Sequence, residues 1–596
     1  MEEDRFAVDE LAGHELPDGT VIARNRRTGA QMPLPGEVFN AVSHCDSFRT
    51  MEGHIADLAG PAARGREGEI RQILQSVIDA GLTLSAAAIG ARLEQRQETE
   101  MAARPVAAII TRERPEALSR LLSSILEHCR LEEVQRLVIV DDSRDEAALA
   151  ANREAISKAR EKLEARGLPS LLHFGPQEGA ALTQAIKERL PGHIAGIEFL
   201  LGREDRGRKV TTGIVRNFAQ LLSVGSPLLV FDDDVLCSVL QPPERRSGVE
   251  FSARQRGSRF FASDDEWRSH QEEGKQCPIQ LHMQALGAEL GGCLRRLDQE
   301  RPGPSAFEFA TPGFARRLQA NAPILITQCG CYGDPGSGGN EWTALLPAEE
   351  RAELAALVDN PETAPQVRNC WLGRSRPVFE PRANMSQVVG IDNRGYLPPY
   401  FPLFRGQDQT FGAMTEFLNP SSLAVDLPFA LPHLPIPRRS WRDLHAGFSL
   451  PFSLTHFLND FVTGEISNCG ALDTRHRNEW LAMMFQDLAV SPRSRIIEIS
   501  AGHWTQKRID WLTRLSNALD TSTGTPPPLG PYLVAVMRQL RASGIADFRA
   551  TEIKGPPENL SGDEVLEFWR KAWQGFADGL RAWPHIREVA RETLEL

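Results

Sequence analysis

Residues Gly213–Val235 read GIVRNFAQLLSVGSPLLVFDDDV, and this stretch decides the fold. In its first half Ile214, Val215, Phe218, Ala219 and Leu222 recur at helical spacing. Gly225-Ser226-Pro227 then turns the chain. Leu228–Phe231 is an unbroken apolar run, the pattern of a strand buried on both faces. It enters Asp232, Asp233 and Asp234 without a spacer. Adjacent carboxylates repel one another, and burying one unpaired is costly. A divalent cation removes that cost. Side chains two apart on an extended segment share a side, so Asp232 and Asp234 are expected to face one ion and Asp233 to turn toward an amide or a basic residue. Oxygen ligands favour Mg2+ or Mn2+ over zinc. A solvated acidic loop is the competing reading.

Upstream the same unit occurs again. Val106–Ile110 is an apolar strand pattern that ends at Thr111-Arg112-Glu113-Arg114-Pro115. Pro115 suits a first helical turn, and Leu118, Leu121, Leu122, Ile125 and Leu126 give the following helix one apolar face. Leu137–Val140 predicts a second strand, stopped by Asp141-Asp142-Ser143. Strand, helix and strand with polar groups at the strands' carboxyl ends predict an α/β sheet that binds a ligand there.

Taken in order, VAAIITRERPEALSRLLSSIL (106–126), VIVDDS (138–143) and GIVRNFAQLLSVGSPLLVFDDDV (213–235) resemble a family 2 type glycosyltransferase with the GT-A fold, over about residues 105–440. The resemblance implies a Rossmann-like mixed sheet flanked by helices. It also implies a nucleotide site opened by the first strand, where Thr111 and Arg112 stand, with Asp141 or Asp142 near the base. Arg216-Asn217 matches a pair often found on the helix before the acidic motif. Asp232 and Asp234 match the DxD signature that holds the cation of a nucleotide-sugar diphosphate, and Asp233 joins the donor-binding set.

Gly390–Gly412, GIDNRGYLPPYFPLFRGQDQTFG, carries the next candidate. By its setting Asp408 reads as a helix cap or a partner of Arg405. The resemblance implies instead the base that deprotonates the acceptor hydroxyl, although Gln407 stands where a glutamate is common. In FALPHLPIP (429–437), His433 lies between Pro432 and Pro435, which restrict its backbone. It matches a third metal ligand of many GT-A enzymes; a packed or surface histidine is the alternative. Together these imply Mn2+- or Mg2+-dependent transfer from a nucleotide-diphosphate sugar, uridine-linked as the first expectation, to a hydroxyl of a glycan or peptide, with inversion.

The flanks differ in character. In VIARNRRTGAQM (21–32), Thr28-Gly29 predicts a hairpin. Three short helical patterns follow, the second with Thr50 as its cap and the third over Glu69–Ala80. Residues 15–85 resemble the PqqD family of small winged-helix modules, which implies a peptide partner; a structural or dimerisation module is the simpler reading, and Arg24, Arg26 and Arg27 are too few for a DNA-binding face. Domains are expected at 1–95, 104–440 and 441–596, with a loose or helical connector over 86–104 and an insertion over 241–380. Cys277, Cys293, Cys329 and Cys331 lack the compact spacing of a zinc site. Gly330, Gly333, Gly336, Gly338 and Gly339 predict a loop around Cys329. The last region reads as an all-helical appendage, in which Phe568, Trp569, Trp573 and Phe576 form a packing face.

Composition narrows the class. A chain of 596 residues exceeds one hydrophobic core. A net charge of -12 argues against nucleic acid as a partner. No apolar run reaches membrane-spanning length, and the acidic start Met1-Glu2-Glu3-Asp4 lacks the form of a secretory signal. Nine dispersed cysteines do not make a disulfide scaffold. The expected location is therefore cytoplasmic, and self-association into a homo-oligomer stays open. Two other classes compete: a nucleotidyltransferase acting on a sugar phosphate, disfavoured because Thr111–Pro115 has no glycine, and a non-catalytic peptide-binding scaffold with a degenerate transferase domain.

Overall fold

The computed structural model describes residues 2–594 apart from 60–64, 95–102, 169, 203–211, 264, 267–272, 275, 298–300, 337–340, 361–362, 365–366, 385–386, 404, 438–451, 521–526, 543–552, 555–559 and 561. The apolar run before the acidic triad is a strand of one large mixed sheet. Nine strands of its main path are labelled in chain order: β1 Val106–Thr111, β2 Arg136–Asp141, β3 Leu171–Phe174, β4 Pro227–Asp232, β5 Glu250–Phe251, β6 Ile324–Gly333, β7 Val378–Glu380, β8 Val388–Asp392 and β9 Leu423–His433. They lie in the order β5-β7-β9-β6-β8-β4-β1-β2-β3.

Strands β4, β1, β2 and β3 are mutually parallel. Strand β8 is antiparallel to both β4 and β6, and β9 is parallel to β6. The carboxyl ends of β1, β2, β4, β6 and β9 therefore share one edge. From β1 the chain winds outward through β2 and β3, then returns to place β4 on the other side of β1. This reversal of winding opens a crevice at the carboxyl ends, the usual ligand position in such sheets.

Strand alternation divides the core. Ala107 and Ile109 pack on one face with helix α1, Pro115–His128, through its Leu118, Leu121, Leu122 and Ile125. Val106, Ala108 and Ile110 pack on the other. That second core contains α2 Ile194–Leu201, α3 Thr212–Leu221, α4 Gln407–Leu418, α5 Thr474–Val490 and α6 Gly562–Thr593. Trp569, Trp573 and Phe576 are buried there, as a packing face requires, whereas Phe568 is only partly buried. Trp583 Nε1 donates to the Leu397 carbonyl at 2.9 Å, and Arg587 donates to the Gly395 carbonyl at 2.7 Å. The C-terminal helices thus pack on the sheet domain and share its core, and they brace the segment leading to Asp408.

The insertion is also part of the sheet. The loop expected around Cys329 is instead β6, ten residues long and central. Its glycines misled the reading because glycine here serves close approach: a Cβ on Gly330 would stand 2.7 Å from the Leu372 carbonyl oxygen. Gly338 and Gly339 lie outside the described residues. Cys277, Cys293, Cys329 and Cys331 are free and buried.

At the N-terminus, Thr20–Asn25 and Gln31–Pro35 form the expected hairpin, extended by Leu11–Glu15. Helices Gly36–Ser43, Met51–Leu58 and Glu67–Asp79 follow, and Thr50 caps the second by accepting from Gly53 N. Leu34, Val42, Ile55, Leu74 and Val77 give this module its own core. From Ala86 the chain joins the larger domain: helix Ala86–Arg92 buries Ala86 and Ile89 beside Phe307. The rest of the expected connector, 95–102, lies outside the described residues. Among the described residues no helix is long and apolar enough to cross a membrane.

Candidate functional site

The candidate residues from the sheet gather on its carboxyl edge because the strands that carry them end there. Thr111 closes β1, Asp141 β2, Asp232 β4 and His433 β9. Strand β4 stops at Asp232, and Asp233 and Asp234 form the following turn. The turn, rather than strand alternation, sets where Asp233 and Asp234 point, and Asp233 meets a basic residue as expected. Asp233 and Asp234 share Arg114, whose Nη1 lies 3.2 Å from Asp233 Oδ1 and 3.1 Å from Asp234 Oδ2. Thr111 Oγ1 also donates to Asp233 Oδ2 at 2.8 Å. Asp232 instead accepts from Arg216 Nη2 at 3.0 Å.

Arg216 links two candidates. It is 3% exposed, and its Nε stands 3.3 Å from Asp408 Oδ1. Both atoms are buried without a hydrogen-bond partner among the described residues, so this is a charge contact without hydrogen-bond alignment. Gly406, at φ +92°, takes the cap position before α4 and leaves Asp408 in the first helical turn. Tyr400, 5.6 Å from the Arg216 guanidinium at its ring centroid, stacks on Phe411 and walls this pocket of charge.

On the other side, His433 Nδ1 donates to the Asp334 carbonyl at 2.7 Å, which fixes the proton on that nitrogen. Its Nε2 faces Asp234 Oδ1 at 3.1 Å. Arg368 holds the Asp334 carboxylate through two bonds of 2.8 and 2.9 Å.

Other candidates serve more as frame. Asp141 is fully buried and accepts from Ser143 N, Asn152 Nδ2 at 3.0 Å and His173 Nε2 at 3.2 Å. Asn217 is fully buried; its Nδ2 donates to the Leu200 and Tyr400 carbonyls, and its Oδ1 accepts from Tyr400 N. Asp142 is buried beside β1, its N–H donating to the Thr111 carbonyl at 2.9 Å. The Arg112 side chain is 31% exposed at the crevice loop.

Electrostatics separate these groups. Burial, together with Asp234 and Asp408, pushes Asp232 up to about 7 despite Arg216. Burial and Asp234 likewise raise Asp233 to about 6 against the pull of Arg114. Burial works against a charged His433, but the contacts with Asp234 and Asp334 outweigh it and raise its pKa. For Asp141 burial is outweighed by its donors, led by His173, and the carboxyl is held low.

Among the described residues no three His, Cys, Asp or Glu side chains converge as a preformed metal cage. The donor chemistry nevertheless fits a hard divalent ion. Asp234 and His433 stand side by side, and the far nitrogen of the imidazole is tied to a backbone carbonyl, as in metal-ligating histidines. Burial is the main cause that raises Asp232 and Asp233, against the pull of Arg216 and Arg114. Sequence reasoning missed Arg114 and Asp334 as members of the site. Arg114 had a signal, its place in the loop after β1; Asp334 had none, since its segment read as a loop. No protein-family model matches this chain, and no curated protein matches it.

Proposed function

We propose that the protein is a metal-dependent glycosyltransferase that moves a sugar from a nucleoside-diphosphate donor to a hydroxyl of a glycan or peptide acceptor, with inversion. The carrying observation is a continuous line of charged groups on one sheet edge: His433 against Asp234 at 3.1 Å, Arg114 between Asp234 and Asp233, and Arg216 between Asp232 and Asp408. The sheet order and the crevice at the reversal of winding support a GT-A architecture. The hairpin and three helices at the N-terminus support a winged-helix module suited to a peptide.

In this reading Asp234 and His433 would hold Mn2+ or Mg2+, with Asp232 as a further ligand, directly or through water. The bound ion supplies Lewis-acid stabilisation of the departing diphosphate. Thr111, Arg112, Asp142 and Asp233 line the donor's nucleotide end, while Asn217 and Asp141 keep the surrounding backbone in place. Asp408 accepts the acceptor's hydroxyl proton, and Arg216 stands beside that carboxylate as its charge partner. The attacking oxygen arrives opposite the departing diphosphate, so the anomeric centre inverts. Gln407 supplies no second acid, and the mechanism needs none.

Asp408→Asn tests the assignment. Transfer should fall by about 10²–10⁴-fold, the usual contribution of a general base, while Mn2+-dependent binding of the nucleotide sugar persists. Near-normal transfer would contradict it.

A further inference from the structure

Arg114 differs from the other basic residue of the site. Its side chain is 39% exposed, whereas that of Arg216 is 3% exposed, so Arg114 can leave its partners without unpacking the core. It follows Glu113, which adopts φ 55°, a left-handed conformation uncommon for a residue with a side chain. Ser143 Oγ, accepting from Glu113 N at 2.7 Å, holds this kink. Strain at such a position persists only where surrounding contacts impose it. The kink brings Arg114 back over the end of β4. There Asp234 is divided: Oδ2 faces Arg114 and Oδ1 faces His433.

We infer that Arg114 is a positioning residue that competes with the divalent cation for Asp233 and Asp234 and, once displaced, binds the diphosphate of the donor. This rests on the metal-dependent reading above. An ion held by Asp234 and His433 draws negative charge away from the guanidinium. The released fork then matches phosphate oxygens in the same crevice, a pairing that guanidinium geometry favours. The cation thus prepares its own anionic partner's site, and no covalent step is involved.

The test uses the full chain with Mn2+ alone, following free Mn2+ by electron paramagnetic resonance, and then uridine diphosphate at saturating Mn2+. Arg114→Ala should bind Mn2+ about tenfold more tightly than the wild type and uridine diphosphate about tenfold more weakly, the scale of one charged hydrogen bond. Arg114→Gln, which keeps much of the length but not the charge, should shift both affinities in the same directions, and it serves if the alanine variant fails to fold. Mn2+ should also raise the melting temperature of Arg114→Ala more than that of the wild type. Wild-type and variant proteins that bind Mn2+ equally well, or a variant that binds it more weakly, would overturn the inference and leave the metal-dependent reading standing. If none of them binds Mn2+, both fall together.

Discussion

Asp426 in the body of the sheet and the acids at the sheet's carboxyl edge are held differently. In the body of the sheet, Asp426 on β9 is fully buried yet accepts from Arg256 Nε at 2.8 Å, Arg256 Nη2 at 3.0 Å and Arg374 Nε at 3.0 Å. Burial opposes its ionisation, but the two guanidinium groups outweigh that and hold it low. Arg374 also reaches Glu380, which accepts from Gln328 Nε2 at 3.1 Å, and there burial together with the neighbouring Asp426 pushes the carboxyl up to about 8 despite Arg374. At the carboxyl edge, Asp232, Asp233, Asp234 and Asp408 crowd around Arg114 and Arg216, and two of the four are raised. Asp426 is matched by two guanidinium groups, whereas Asp233 and Asp234 share one guanidinium nitrogen, and Asp232 and Asp408 share Arg216.

The comparison breaks first at Asp426. Asp426→Ala leaves Arg256 without its acid and Arg374 with Glu380 alone, and should cost about 3–5 kcal/mol in denaturant unfolding. Asp233→Asn should change stability by less than about 1 kcal/mol, and a gain is the expected direction, since it removes an acid that the fold disfavours when charged. An equal loss in both variants would remove the distinction.

A smaller effect sharpens it. Asp232 and Asp233 are raised from 3.8 to about 7 and about 6. Between those limits the folded state binds more protons than the unfolded one, so their contribution weakens as pH rises from about 4 to about 7. Asp426 and Asp141, held low, act oppositely: their contribution is present above the unfolded value and is lost as pH falls through the folded one. Unfolding curves at pH 5 and pH 7.5 should show a decline in the wild type that Asp233→Asn reduces.

Much of this was legible in the sequence where local pattern and contact coincide. The runs Val106–Ile110, Leu137–Val140 and Leu228–Phe231 are the strands β1, β2 and β4, and Pro115 does open α1. Asp232 could be singled out because an acidic run follows an apolar strand without a spacer, whereas Asp408 and His433 were implied by the family resemblance. Their partners could not be read: Arg114 lies 120 residues from Asp234, and Arg216 lies 192 residues from Asp408, so only the folded sheet joins them. Strand β6 was hidden for a different reason, since glycine marks both a loop and a close backbone approach. The role of α6 was only half visible: its aromatic stripe indicated packing, but that it braces the approach to Asp408 depends on Trp583 and Arg587 reaching Leu397 and Gly395.

The central claim is that Asp234 and His433 hold a divalent ion that makes this edge a nucleoside-diphosphate site. Calorimetric titration of uridine diphosphate into the wild type with Mn2+, into the wild type with EDTA, and into Asp234→Ala with Mn2+ addresses it directly. The account predicts binding in the first titration and a loss of at least about tenfold in the other two, the low end of what removing a metal-site residue costs. Equal affinity in all three would contradict it.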